Sequence, residues 1–228
     1  MDKSDLQEVL VALYLRLNGY LASGYIAHAP VGNLTEIDII AVRFPAHKEP
    51  EREVLPCAHL RPPSDRVDFL VGEVKGGQKN ANFNPKFRER PDAIRKVLHR
   101  LGAFTDHEIE VWIPQIMAVL TPQSLAKASD FPAFPLTGWP ALLRFVLFSP
   151  DQRRDSLRDQ RPAIFGDDMF GFIWTCLRPA VPRPECATDY HIKLWGHQFN
   201  ELIAYFKDPS RQSPGTVDDL YAYVLGDT

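Results

Sequence analysis

Glu73, Val74 and Lys75 close an apolar stretch of this chain, and Asp38 lies 35 residues upstream within Ile37-Asp38-Ile39-Ile40. Side chains alternate faces along a strand, so Glu73 and Lys75 project to one side while Val74 points to the other. By the same alternation Glu36 and Asp38 share a face. Carboxylates in the middle of an Ile/Val strand are costly unless something compensates them. A divalent cation does so: Mg²⁺ prefers oxygen ligands and binds through one or two carboxylates together with substrate phosphate. A lysine beside such a site can orient the attacking water or offset charge developing on the phosphate. The chemistry these residue types suggest is metal-dependent hydrolysis of a phosphodiester. Glu36 competes with Asp38 as a ligand. The plainer reading of Glu73 and Lys75 is a same-face ion pair on an exposed strand, and the apolar neighbours Phe69, Val71 and Val74 weigh against it.

The elements that must position these residues follow from periodicity. Leu6, Val9, Leu10, Leu13, Tyr14 and Leu17 recur at helical spacing, with Ser4 or Asp5 as N-cap and Asn18-Gly19 as the stop. Glu8 sits in the first half of that helix. Tyr20 to Ala29 reads as a strand ended by Pro30 and the Gly32-Asn33 turn, and Thr35 to Phe44 as a stronger one. Residues 45 to 65 hold five prolines and many charges, which suits an exposed excursion. Arg66 to Val74 is the next strand, ended by Gly76-Gly77. Gln78 to Arg90 reads as a loop, and Pro91 opens a helix with its body at Ala93 to Ala103. Ile109 to Thr121 is expected to hold one or two strands, the clearer at Ile116 to Leu120, and Leu142 to Phe148 another. Residues 151 to 161 read as a linker or solvated helix, followed by helices near 168–177, 190–206 and 217–225. The expected fold class is α/β. Residues 1–150 form a core carrying the excursion at 45–65, and residues 151–228 form a helical C-terminal extension.

The formal net charge is −3, which argues against coating nucleic acid through bulk charge. Between Lys75 and Arg100, however, eight basic residues face only Glu89 and Asp92, a local +6 directly after the candidate strand. Lys79, Lys86, Arg88, Arg90, Arg95 and Lys96 are therefore candidates for phosphate contact. No apolar run approaches the roughly 20 residues that span a bilayer, so no membrane association is expected. The polar, acidic start and three widely spaced cysteines without a CxxC pair suit a reducing cytoplasm. Cys186, His191 and His197 fit no common zinc spacing. Trp174, Trp195, Phe199, Tyr205 and Phe206 suit a core or subunit interface better than base stacking. Phosphate loops of the P-loop kind and the Gly-x-Ser-x-Gly turn are both absent from the sequence.

Ile37-Asp38-Ile39-Ile40 followed by Gly72-Glu73-Val74-Lys75, in the order helix, three strands, helix, strand, resembles the PD-(D/E)xK nuclease superfamily of restriction endonucleases and Holliday-junction resolvases. The resemblance covers roughly residues 5 to 121. It implies a restriction-endonuclease-like αβββαβ core with a mixed central sheet. It also implies that Asp38 and Glu73 bind Mg²⁺ or Mn²⁺, that Lys75 serves the nucleophilic water and scissile phosphate, and that Glu8 matches the glutamate many members add from the first helix. Ile37 stands where the motif has proline, and the step from Asp38 to Glu73 is long because residues 45–65 are inserted. The expected function is that of a nuclease acting on DNA, an endonuclease rather than an exonuclease. The alternative is a non-catalytic nucleic-acid-binding or assembly subunit that keeps the nuclease fold. In either case the C-terminal helices are the surface for a second copy or a partner protein.

Overall fold

The protein is described from a computed structural model covering residues 1–28, 33–47, 54–77, 82–154, 162–178 and 196–226. The first helix, α1 (Lys3–Leu17), starts two residues earlier than Ser4/Asp5 capping implies. Asp2 is the N-cap: its carboxylate accepts from the Asp5 N–H at 2.9 Å, and the Asp5 carboxylate accepts from the Asp2 N–H at 3.0 Å. This reciprocal pair satisfies two otherwise orphaned donors. The helix ends at Asn18, as its side chain and the following glycine suggest.

Three strands follow as an antiparallel meander: β1 (Leu21–His28), β2 (Asn33–Arg43) and β3 (Val67–Val74). Strand β3 is buried along its whole length, as its near-continuous apolar sequence requires. After a helical crossover, β5 (Ala141–Ser149) pairs parallel to β3, with Glu73 level with Leu147. Two short strands, β4 (Ala133–Pro135) and β6 (Ala163–Phe165), pair with β5 antiparallel and parallel respectively. The sheet is thus mixed and six-stranded, in the order β1-β2-β3-β5-β4, with β6 also on β5.

Apolar side chains leave both faces of the sheet. On one face Leu6, Leu10 and Tyr14 of α1 pack with Leu70, Val74 and Phe148. The same cluster takes in Phe170 and Ile173 of α6 (Gly166–Leu177), Tyr205 and Phe206 of α7 (Asn200–Lys207) and Leu220 of α8 (Val217–Leu225). The other face is covered by α2 (Pro85–Arg88), α3 (Pro91–Leu101), α4 (Asp106–Val119) and α5 (Pro122–Lys127), around Phe69, Val71 and Phe145. The molecule is a helix–sheet–helix sandwich of mixed α/β class. Among the described residues no helix is long and apolar enough to cross a membrane.

Three expectations are corrected. Ile109 to Thr121 is not strand but most of α4. Thr105 and Glu108 form a capping box that starts the helix, and Ile109, Ile113, Ile116 and Leu120 recur four, three and four residues apart as one buried stripe. Pro114 falls on the exposed side of α4, opposite the buried stripe. The segment 78–90 is not all loop, since Asn84 caps the single-turn helix α2 with Pro85 at its first position. Finally, the excursion is fastened down where it is described. Cys57 and Leu60 are buried, the Cys57 N–H donates to the Asn18 side chain at 2.7 Å, and Arg43 donates to the Pro63 carbonyl at 3.1 Å.

The reading of 190–206 as one helix falls partly outside the described residues. Within them a 3-10 turn at His197–Phe199 leads into α7. Phe199, Tyr205 and Phe206 are buried in the core. Trp174 packs against the same cluster, with the Arg178 guanidinium 3.9 Å from its ring centre. Cys186, His191 and Trp195 lie outside the described residues.

Candidate active site

Strands β2 and β3 bring Asp38 and Glu73 together. The last ladder pair of this antiparallel couple is Ile39 with Gly72, so one further step sets Asp38 beside Glu73. Gly72 has no room for a side chain, because a Cβ there would lie 2.9 Å from the Phe148 ring and 3.0 Å from Ile39. The alternation assumed for β2 does not hold at this point. Ser23 pairs with Ile40 but Tyr25 pairs with Ile37, so three steps of β2 oppose two of β1. This is a β-bulge at Asp38–Ile39, and it sends Ile37 and Ile39 into opposite faces of the core. Glu36 and Asp38 accordingly differ: Glu36 is exposed, and Asp38 is half-buried. Asp38 accepts the Val74 backbone N–H at 2.7 Å, which fixes its carboxylate against the end of β3.

Glu73 is only 2% exposed. One of its carboxylate oxygens, Oε1, holds the Lys75 ammonium at 2.5 Å, so the same-face ion pair exists, but on a buried strand. The other oxygen, Oε2, is buried with no hydrogen-bond partner among the described residues. Burial pushes the Glu73 carboxyl up to about 7, reinforced by the Asp38 charge and opposed by Lys75 and the Asn84 backbone N–H. Asp38 is also raised, mainly by burial, against the lowering effect of the Val74 N–H and Lys75. Half-buried Glu8, on α1, is pushed up to about 7 by burial and then by Asp38, Glu36, Asp5 and Asp2. Asp38 is therefore the electrostatic hub, felt by Glu8 on one side and Glu73 on the other. The Lys75 ammonium offsets the charge of two of these acids, Glu73 by direct contact and Asp38 at longer range.

This donor set fits a hard divalent cation. It is all oxygen, it carries excess negative charge, and it contains a buried carboxylate oxygen with no hydrogen-bond partner among the described residues. Among the described residues Glu8, Asp38 and Glu73 do not form a three-ligand group, since no three or more His, Cys, Asp or Glu side chains are placed to hold a metal ion. A site for Mg²⁺ does not need one, since that ion keeps several waters and shares substrate phosphate.

The shifts have a sign. A carboxyl whose folded value is raised from 4.5 to about 7 binds its proton more tightly in the folded chain. Its contribution to stability is fully present below pH 4.5 and is lost as pH rises to about 7. The metal-free protein should therefore lose stability across that window, and Glu73→Gln should flatten the decline. Thermal unfolding between pH 5 and pH 8 reads this directly, and parallel profiles for the two proteins would contradict it.

The proposed phosphate contacts are dispersed. Lys79 lies outside the described residues. Arg88 pairs with Glu89 at 2.8 Å, Arg90 with Asp92 at 3.0 Å and Arg95 with Glu110 at 2.7 Å. Lys86 and Lys96 make no ion pair among the described residues, and of the two Lys86 is exposed and Lys96 partly buried. Much of the +6 read along the chain is thus neutralised locally. Arg100, next along, lies 5.7 Å from the Tyr25 ring centre.

Sequence reasoning missed two polar clusters. Buried Asp68, at the start of β3, receives both the Nε and Nη2 of Arg144 and the hydroxyl of Tyr20, while Arg144 Nη1 donates to the Leu60 carbonyl at 2.8 Å. This network lies at the far end of the strands from Asp38, about 17 Å away at roughly 3.3 Å per residue, and it ties the excursion there. The second cluster, Gln7, Asp151 and Tyr221, borders the turn after Lys75.

Comparison of the chain with protein-family models, with curated proteins and with solved structures finds no match.

Proposed function

We propose that the protein is a metal-dependent nuclease with a PD-(D/E)xK-type site, cutting phosphodiester bonds in DNA. The observation that carries this reading is the charge imbalance at the β2–β3 ends. Asp38 and Glu73 are fixed side by side, and among the described residues one buried oxygen of Glu73 has no hydrogen-bond partner and Lys75 is the one cation paired with them. The contrast with Asp68 is informative, because that buried acid is fully matched by Arg144 and calls for no ligand. The order of elements supports the αβββαβ core. An antiparallel meander is followed by a parallel strand beside its third member, with α1 on one face and α3 on the other.

On this reading Asp38 and Glu73 would hold Mg²⁺ or Mn²⁺, with Glu8 assisting through its coupling to Asp38. The cation supplies Lewis-acid stabilisation at phosphorus and lowers the pKa of the attacking water. Lys75 lies 24% exposed at the mouth of the site, where its ammonium can meet a phosphate oxygen as well as Glu73. Val74 fixes the Asp38 carboxylate through its N–H, which limits reorganisation during attack. Lys86 is the exposed cation best placed in sequence to meet the DNA backbone, with a salt-dependent contribution to affinity.

Mn²⁺ titration tests the reading. The wild-type protein should bind Mn²⁺, and Asp38→Ala should lose most of that binding. No Mn²⁺ binding and no cleavage of DNA or RNA would favour the non-catalytic subunit instead.

A further inference from the structure

The nuclease reading gives the C-terminal helices no part in the site itself, and three polar side chains supply one. Gln7 is buried on α1, beside Glu8 in sequence. Its side-chain amide donates to the Asp151 Oδ1 at 2.8 Å and to the Tyr221 hydroxyl at 2.6 Å. The Tyr221 hydroxyl in turn donates to the same Asp151 oxygen. Asp151 lies just past the end of β5, three residues beyond Phe148, whose carbonyl accepts the Lys75 N–H at 2.8 Å. Tyr221 belongs to α8, 70 residues beyond Asp151 and 214 beyond Gln7 in sequence.

The turn after Lys75 is pressed against this bridge. A Cβ on Gly76 would lie 2.4 Å from the Gln7 amide nitrogen and 2.7 Å from its oxygen. The amide cannot swing away freely, because two hydrogen bonds hold it. Gly77 follows at φ +62°, and a Cβ there would lie 3.8 Å from the Asp151 Oδ2. One turn of α1 therefore presents Glu8 towards Asp38 and Gln7 towards the turn that carries Lys75. The far side of Gln7 is anchored to α8.

We propose that Gln7, Asp151 and Tyr221 are positioning residues that hold the Lys75–Gly77 turn in register with α1, making the C-terminal helix α8 a working part of the site. The proposal rests on the nuclease reading for its kinetic consequence and on geometry alone for its structural one. A lysine displaced by about an ångström can cost up to about a hundredfold in rate without altering substrate affinity.

Tyr221→Phe removes the bridging hydroxyl and keeps the ring, and Gly76→Ala pushes on the Gln7 amide from the opposite side. Each should lower kcat for Mn²⁺-dependent DNA cleavage by about 10- to 100-fold with KM unchanged, and the double variant should fall little further than either alone. Tyr223→Phe, on the same helix but half-exposed, should retain wild-type kcat. Independently of activity, hydrogen exchange at the Lys75 amide should quicken at least about fivefold in both variants, while amides in the middle of β3 stay protected. Unchanged kcat, a loss confined to KM, or unchanged Lys75 exchange in both variants would overturn the proposal. If the wild-type protein cleaves nothing, the nuclease reading falls, and Lys75 exchange still decides whether the bridge holds the turn.

Discussion

Alanine at Asp38, Glu73 or Lys75 is expected to reduce Mn²⁺-dependent DNA cleavage by at least about a thousandfold, a loss of roughly 4 kcal/mol of transition-state stabilisation. The three residues act through different atoms. Asp38 offers a carboxylate already oriented by the Val74 N–H, and Glu73 offers the buried Oε2 that has no hydrogen-bond partner among the described residues. Lys75 supplies the ammonium paired with Glu73. Glu73→Gln is the most telling variant, because it preserves shape in a buried position and removes the charge a cation would need. It should fold, bind Mn²⁺ weakly and cleave nothing. Glu8→Ala should cost less, about 10- to 100-fold, since Glu8 is half-buried and acts through Asp38. Circular dichroism beside the cleavage assay separates loss of chemistry from loss of fold.

The second large effect is on stability and lies at the opposite end of the sheet. Arg144→Met is expected to destabilise the protein by about 3–5 kcal/mol, because it leaves buried Asp68 with the Tyr20 hydroxyl as its one remaining side-chain partner among the described residues. For a chain of this length that lowers Tm by about 10 °C. It also frees the Leu60 carbonyl, so the excursion should loosen and become sensitive to proteolysis near residues 54–65. Replacing both partners, Asp68→Leu with Arg144→Met, should recover most of the stability, because the uncompensated charge goes with its partner. A Tm within about 2 °C of wild type for Arg144→Met alone would contradict this account. Activity at low temperature should survive in both variants, since the network lies five ladder positions from Asp38.

Much of the scaffold is legible in the sequence because local pattern and burial agree. The α1 stripe, the Ile/Val run of β2, the continuous apolar run of β3 and the Pro91 to Gly102 helix each read correctly to within a few residues. Helix α4 does not, because Ile, Val and Trp around a proline mimic strand composition. The Thr105–Glu108 capping box and the spacing of the isoleucines are the signals that outweigh it. The bulge at Asp38 is invisible to an alternation rule, because it depends on how β1 pairs with β2.

Non-local pairing also limits what the charge pattern along the chain reveals. Arg95 meets Glu110 across two helices, so a run of basic residues overstates the cations available to phosphate. The cost argument that singles out Asp38 applies equally to Asp68 in Val67–Val74 and to Arg144 in Ala141–Ser149. Their pairing depends on β3 and β5 lying side by side and parallel, which local sequence pattern does not fix. Gln7 and Tyr221 carry no comparable signal, since their partnership joins positions 214 residues apart.

The most direct test of the central claim is cleavage of a panel of linear, branched and single-stranded DNA substrates by wild-type protein and Glu73→Gln, each with and without Mn²⁺. The account predicts cutting of at least one substrate by wild-type protein with Mn²⁺, none without it, and none by Glu73→Gln in either condition. Full activity in Glu73→Gln, or cleavage by wild-type protein that is indifferent to Mn²⁺, would contradict it.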